Sequence, residues 1–215
     1  MESADRAWTL VARFSNTDSK NWMEDSGHWW YDKNVAAGET ADPSSNADMI
    51  STTFWLFSGS EFKITRSDDP QHSALLQTSG DCLGGQTFRT KITSYGDFRN
   101  GEPWELIWSG CRGNCMVQYG GQYEITKGFA QAKCDGSFLN ADKAGFWCDL
   151  NRDGSVVMFG GGGGDCGRTY HGLGVTGAEI ASFVRGSRPE ADFGDSPWPY
   201  SSGTTSDYSL NLWIR

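Results

Sequence analysis

The segment from Gly145 to Gly174 constrains this chain more than any other. Two cysteines, Cys148 and Cys166, bracket Asp149-x-Asn151-x-Asp153-Gly154 and a run of five glycines, Gly160–Gly164. A cysteine pair belongs to an oxidising compartment. Alternate oxygen side chains ahead of a glycine are how a turning backbone collects ligands for a hard cation. Consecutive glycines let backbone come close to a neighbour, at an entropic cost unless the surroundings hold them. The pattern matches the first half of an EF-hand loop, but its twelfth position is Gly160 and no helical pattern flanks it, so a true EF-hand is excluded. Two readings stay open: a Ca2+ loop using Asp149, Asn151, Asp153 and Asp165, and a polar hairpin turning at Asp153-Gly154 ahead of a strand at Val156–Phe159. Asp97, Glu102, Asp192 and Asp195 are further carboxylates able to complete or replace the site.

The rest of the chain is punctuated by turn residues about every ten positions, with little helical periodicity. Trp8, Leu10, Ala12 and Phe14 alternate with Thr9, Val11 and Arg13, as in a half-buried strand. Short strands are expected at Thr53–Phe57, Glu61–Thr65, Leu75–Thr78, Thr87–Ile92 and Met116–Tyr119. The C-terminus alternates Tyr208, Leu210, Leu212 and Ile214 with Ser209, Asn211 and Trp213, predicting a last strand. Helical candidates are Ser19–Met23, as a single turn, and Gly177–Val184. Long connections at Glu24–Asn46, Gly96–Gly113 and Gly186–Thr205 call for function or for stapling by disulfides and ions. Composition and periodicity give a β-rich chain, read as a single domain over residues 1–215.

Six cysteines allow three disulfides and fifteen connectivities. Cys148–Cys166 is the preferred pair, whereas Cys111 and Cys115 close on each other around Cys-Arg-Gly-Asn-Cys or pair elsewhere. Zinc is a poor rival, since there is no C-x-x-C and the three histidines lack metal spacing. The net charge of -9 disfavours nucleic acid and anionic membranes as partners. No apolar run is long enough to span a bilayer. The polar, acidic start is no signal peptide, and Met1 reads as a start inside a longer secreted protein. The G-x-G-x-x-G within the glycine run precedes no helix and carries no nucleotide-binding argument. Neither H-E-x-x-H nor G-x-S-x-G occurs, so a non-enzyme is expected.

Both ends carry a resemblance. Arg6-Ala-Trp-Thr-Leu-Val-Ala-Arg13 resembles the opening strand of fibrinogen-related domains, and Tyr208-Ser-Leu-Asn-Leu-Trp-Ile-Arg215 the strand that ends them. Leu75-Leu-Gln-Thr-Ser-Gly80 and Gly160–Cys166 are similar to the intelectin branch. Glu61-Phe-Lys-Ile-Thr-Arg-Ser-Asp-Asp-Pro70 and Gly84-Gly-Gln-Thr-Phe-Arg89 are similar to fibrinogen-like domains of cnidarian extracellular and skeletal-matrix proteins. The resemblance implies a β-rich α+β fold, fibrinogen C-terminal-like, with short strands, few short helices and long loops held by disulfides and Ca2+. There are departures. The family's calcium loop precedes its paired cysteines, and Val156 and Val157 stand near where intelectins carry a calcium-ligating histidine, so the intelectin sugar mechanism does not transfer.

The resemblance also implies a secreted, extracellular, lectin-like recognition module for a glycan or acetylated group. Tyr170, His171, Trp198 and Tyr200 lie in the region that lines the ligand pocket of related folds. Aromatic faces suit the C–H surface of a sugar or an acetyl methyl. Packing of Trp198, between Pro197 and Pro199, is the plain alternative, and His171 serves equally as a hydrogen-bonded structural residue. The rival function is an acidic structural matrix protein without a sugar site, with matrix proteins or self-association as partners.

Overall fold

The computed structural model of the chain describes residues 7–15, 35–97, 102–103, 109–120, 143–150, 153–159, 172–175 and 208–215. In chain order the elements are β1 (Thr9–Ser15), β2 (Met49–Ile50), α1 (Thr53–Leu56), β3 (Phe62–Arg66), β4 (Ala74–Thr78) and α2 (Phe88–Thr93). They continue with β5 (Gly96–Asp97), β6 (Glu102–Pro103), β7 (Ser109–Gly110), β8 (Gly113–Tyr119), β9 (Lys143–Leu150), β10 (Asp153–Phe159), β11 (Gly172–Val175) and β12 (Ser209–Ile214). The β-rich α+β class is borne out at this level. The expected helices at Ser19–Met23 and Gly177–Val184 lie outside the described residues.

One antiparallel sheet runs β11-β10-β9-β8-β4-β3-β12-β1-β2, with β7 also on β9, and β5 and β6 form a separate small ladder. The last strand is inserted between β1 and β3, and β1 in turn lies between β12 and β2, so the first and last strands are both interior. Ile214, Leu212 and Leu210 fall on the core face, beside Phe62, Ile64 and Phe14. That face is closed by an aromatic cluster. Phe88 meets Phe54 at 5.7 Å and Phe62 at 5.6 Å, and Phe146 stacks on Tyr95 at 6.0 Å. Edge-to-face and offset contacts of this kind add to plain area burial.

The simple alternation expected in β1 breaks at Val11. Leu10 pairs with Trp213 but Ala12 with Leu212, so Val11 is an extra residue in a bulge. Its carbonyl turns to accept from Ser51 N at 2.9 Å. A bulge shifts every later side chain to the opposite face. Trp8 and Leu10 therefore share the outer face, while Ala12 and Phe14 are buried in the core.

Two expected strands are helices. Thr53–Leu56 is one turn that buries Phe54, with Ser51 Oγ accepting from Thr53 N and Ser51 O from Phe54 N. Phe88–Thr93 carries Phe88 and Ile92 on its buried side, a four-residue helical spacing, and Thr87 Oγ1 caps it from Thr90 N at 3.0 Å. β-branched and aromatic composition suggested strands, but one buried side and a capping threonine decide for helix. The buried indole of Trp147 donates from Nε1 to Ile92 O at 2.8 Å, satisfying a carbonyl at the end of α2. Gly96 makes room for that ring, because a Cβ there would lie 2.4 Å from Trp147 Cε2.

Cys115 is bonded to Cys82, with Cα atoms 5.4 Å apart, which corrects the Cys111–Cys115 alternative. The two neighbouring cysteines lie on either side of the step from β7 to β8. Cys115 joins the ladder where Leu83 and the turn before α2 pack beneath it. Closing a loop of this separation removes about 4 kcal/mol of unfolded-chain entropy in the simple loop treatment. Cys111 is also disulfide-bonded, and no cysteine among the described residues is free. The Cys148 side chain and Cys166, and with them the expected Cys148–Cys166 bond, lie outside the described residues. The backbone register bears on them all the same. Ser109 opposes Leu150, Gly110 opposes Asp149 and Gly113 opposes Phe146, which carries Cys111 across from Cys148. Non-reducing peptide mapping is therefore expected to recover Cys111 and Cys148 in one linked fragment. Recovery of Cys148 linked to Cys166 would bear out the sequence expectation and show that the register does not set the pairing.

Candidate functional site

The outer face of the sheet, away from the aromatic core, divides into a covered half and an open half. In the covered half Arg13, Asn211 and Thr65 form one cross-strand row, and Ser15 pairs with Ser209 beside it. All five are buried beneath the segment 37–48. The Arg13 guanidinium donates to three backbone carbonyls: Nε to Ala47 at 2.6 Å, and the terminal nitrogens to Asp42 at 2.6 Å and Glu39 at 2.9 Å. Asn211 Nδ2 donates to Pro43 O, and Asn46 Oδ1 accepts from both Ser15 Oγ and Ser209 Oγ. Asp48 Oδ1 accepts from Ser15 N at 2.8 Å. Beyond the bridge of Ala37 to Ile50, the segment thus has carbonyls of its backbone satisfied by side chains of the sheet. Burial lowers the Arg13 pKa, while the Asp42, Glu39 and Asp48 carboxylates oppose that shift.

The open half has a different character. Leu10, Trp213, Lys63, Gln77 and Gln118 form a continuous row across β1, β12, β3, β4 and β8. Trp8, Arg215 and Glu61 flank it on the side away from the covering segment. All of these are partly or fully exposed. Lys63 Nζ lies 4.9 Å from the Trp8 ring centroid and 5.2 Å from that of Trp213. Arg215 Cζ lies 4.5 Å over Trp8, and its Nε donates to Glu61 Oε2 at 2.7 Å. Trp213 Nε1 donates to Thr65 Oγ1 at 2.9 Å, which fixes the ring orientation. Burial lowers the Lys63 pKa, and the Arg215 charge lowers it further.

His72 borders the open half, its ring 6.2 Å from Trp213. It has φ +46°, an uncommon conformation for a residue with a side chain. The turn that holds it is tied by Asp69, which accepts from Gln71 N and Ser73 N, and by an Arg66–Asp68 ion pair. Burial pushes the Asp69 carboxyl up, but those hydrogen bonds and nearby His72 outweigh it and leave the pKa below its ordinary value.

Tyr170, His171, Trp198, Tyr200, Asn151 and Asp165 lie outside the described residues, as do the side chains of Asp149 and Asp153. The backbone around the calcium-like pattern is an antiparallel hairpin, with Leu150 opposite Asp153 and Asp149 opposite Gly154. Asp153-Gly154 thus belongs to β10, and the ladder reverses before it, not at it as expected. Among the described residues no group of three or more His, Cys, Asp or Glu side chains is placed to hold a metal. No helix among them is long and apolar enough to cross a membrane.

Sequence reasoning missed Trp8, Lys63 and Trp213 as a group. The usable signal was Trp213 itself, a large aromatic at the parity that Ser209 and Asn211 assign to the outer face. No known protein family and no curated protein matches the chain.

Replacing Arg13 with lysine keeps a positive charge but supplies a single ammonium where three carbonyls converge. Arg13→Lys is expected to destabilise the domain by roughly 2–4 kcal/mol through carbonyls left unsatisfied in a buried position. Chemical denaturation measures this directly. Stability within about 0.5 kcal/mol of wild type would mean that the covering segment does not depend on Arg13.

Proposed function

We propose that this chain is an extracellular, lectin-like recognition domain that binds a glycan. The observation that carries the reading is the open outer-face row, where two half-exposed tryptophans stand among hydrogen-bonding side chains. Indole faces accept the C–H surface of a pyranose, while Gln77, Gln118, Lys63 and Glu61 offer donors and acceptors suited to hydroxyl groups. Paired antiparallel strands hold these groups on one surface, so little conformational entropy is lost on binding. The Cys82–Cys115 disulfide supports an oxidising compartment. The fibrinogen-like resemblance of both terminal strands supports a recognition role over catalysis. Tyr170, His171, Trp198 and Tyr200 are proposed as a further contact region on the strength of that resemblance alone.

On a glycan array, Trp213→Ala is expected to lower binding by more than tenfold, about 1.4 kcal/mol, while leaving a cooperative thermal transition. Loss of binding from Trp198→Ala with Trp213→Ala unchanged would move the site to the sequence-expected loop. Adsorption to mineral that no sugar competes for would favour the acidic matrix reading.

Ca2+ is proposed as a stabiliser of long loops, with Asp149, Asn151, Asp153 and Asp165 as the ligands expected from sequence. An ion that binds the folded chain alone raises its melting temperature. Millimolar calcium is expected to raise it by several degrees and chelator to reverse the rise. An unchanged melting temperature would remove calcium from the account.

A further inference from the structure

Lys63 stands out among the cations of the open outer face. Its ammonium is wedged between two indoles, and among the described residues no carboxylate pairs with it. The adjacent acid, Glu61, is already engaged by Arg215. The result is two neighbouring cations on one tryptophan, Lys63 and Arg215, on a chain whose overall charge is -9. A positive spot on an acidic protein is unlike its surroundings. Long-range repulsion disfavours indiscriminate capture of polyanions, leaving recognition to short-range contacts.

We propose that the open outer face binds an anionic sugar, a pyranose bearing a carboxylate or a sulfate, whose charged group pairs with Lys63 and whose ring lies against Trp8 and Trp213. The inference rests on the glycan-binding reading of this same surface and names its ligand class. Three features make the ammonium a suitable anchor. It is partly desolvated, so a pair formed there is stronger than one in open water. The indoles on either side limit its motion. Gln77, next along the row, stands across from Lys63 and offers an amide for a ring hydroxyl. Carboxylate and sulfate share the required charge, and the geometry on this side does not choose between them.

The test is calorimetric titration of the full chain with three probes: a hyaluronan tetrasaccharide carrying carboxylates, 6-sulfo-N-acetylglucosamine, and neutral N-acetyllactosamine. At least one anionic probe is expected to bind tenfold or more tighter than the neutral one, and to weaken as sodium chloride rises. Whichever anionic probe wins identifies the charged group. Lys63→Gln is expected to erase the preference, bringing the anionic probes to the affinity of the neutral one, and Lys63→Arg to retain it. Melting temperatures of both variants guard against loss of fold, and Lys63→Arg serves if Lys63→Gln unfolds. Equal affinity for neutral and anionic probes, or a preference that survives Lys63→Gln, overturns the inference and leaves glycan recognition standing. No binding to any probe overturns both.

Discussion

The pairing of β12 between β1 and β3 is the interaction on which the other features depend. It joins residues more than two hundred positions apart in the case of Thr9 and Ile214. Bringing such distant segments together carries a loop-closure cost, which is offset by burial of Leu210, Leu212 and Ile214 on one face. The same register fixes what appears on the other face. Trp213 stands beside Lys63 because Ile214 stands beside Phe62, and Asn211 reaches the covering segment because Leu212 stands beside Ile64. Core packing and the candidate site are consequences of one alignment.

The Val11 bulge and Arg13 divide the outer face. By adding one residue, the bulge turns Trp8 and Leu10 outward and still leaves Phe14 in the core. Arg13, two residues later, is buried on the outer side and holds the segment 37–48 down over the polar half. The aromatic half stays open because nothing of comparable reach projects from Trp8, Lys63 or Trp213 toward a covering loop; those side chains lie against one another instead. A surface that combines half-exposed indoles with an ammonium that no carboxylate among the described residues pairs with costs stability, since Lys63 is partly desolvated. Retention of such a group on an otherwise acidic chain is readily explained by a ligand that supplies the missing charge.

Much of the sheet was legible from alternation. Both terminal strands, β3 and β4 appear near their expected bounds, because period-two burial leaves a direct mark on sequence. The failures have separate physical causes. At Thr53–Leu56 and Phe88–Thr93 the residue types favour strand, but burial of Phe54 alone, and of Phe88 with Ile92, selects helix. At Val11 a single inserted residue reverses the faces, and no local composition announces it. Asp153-Gly154 carries a strong turn signal yet falls within a strand, since the β9–β10 register is set by pairs on both sides of the reversal. The candidate surface was illegible for a topological reason. Trp8, Lys63 and Trp213 belong to three distant segments that only strand order brings together, whereas the densest motif drew attention to residues 145–174.

Trp8 and Trp213 each carry an indole N–H, which gives the central claim a direct reading by nuclear magnetic resonance. Assigned indole signals followed during titration with an acidic oligosaccharide should show the Trp8 and Trp213 resonances shifting together and saturating at one affinity, with the Lys63 side-chain signal moving alongside them. Saturable shifts confined to Trp198, with Trp8 and Trp213 unmoved, would contradict the account and assign recognition to Trp198 and not to the row of Trp8, Lys63 and Trp213.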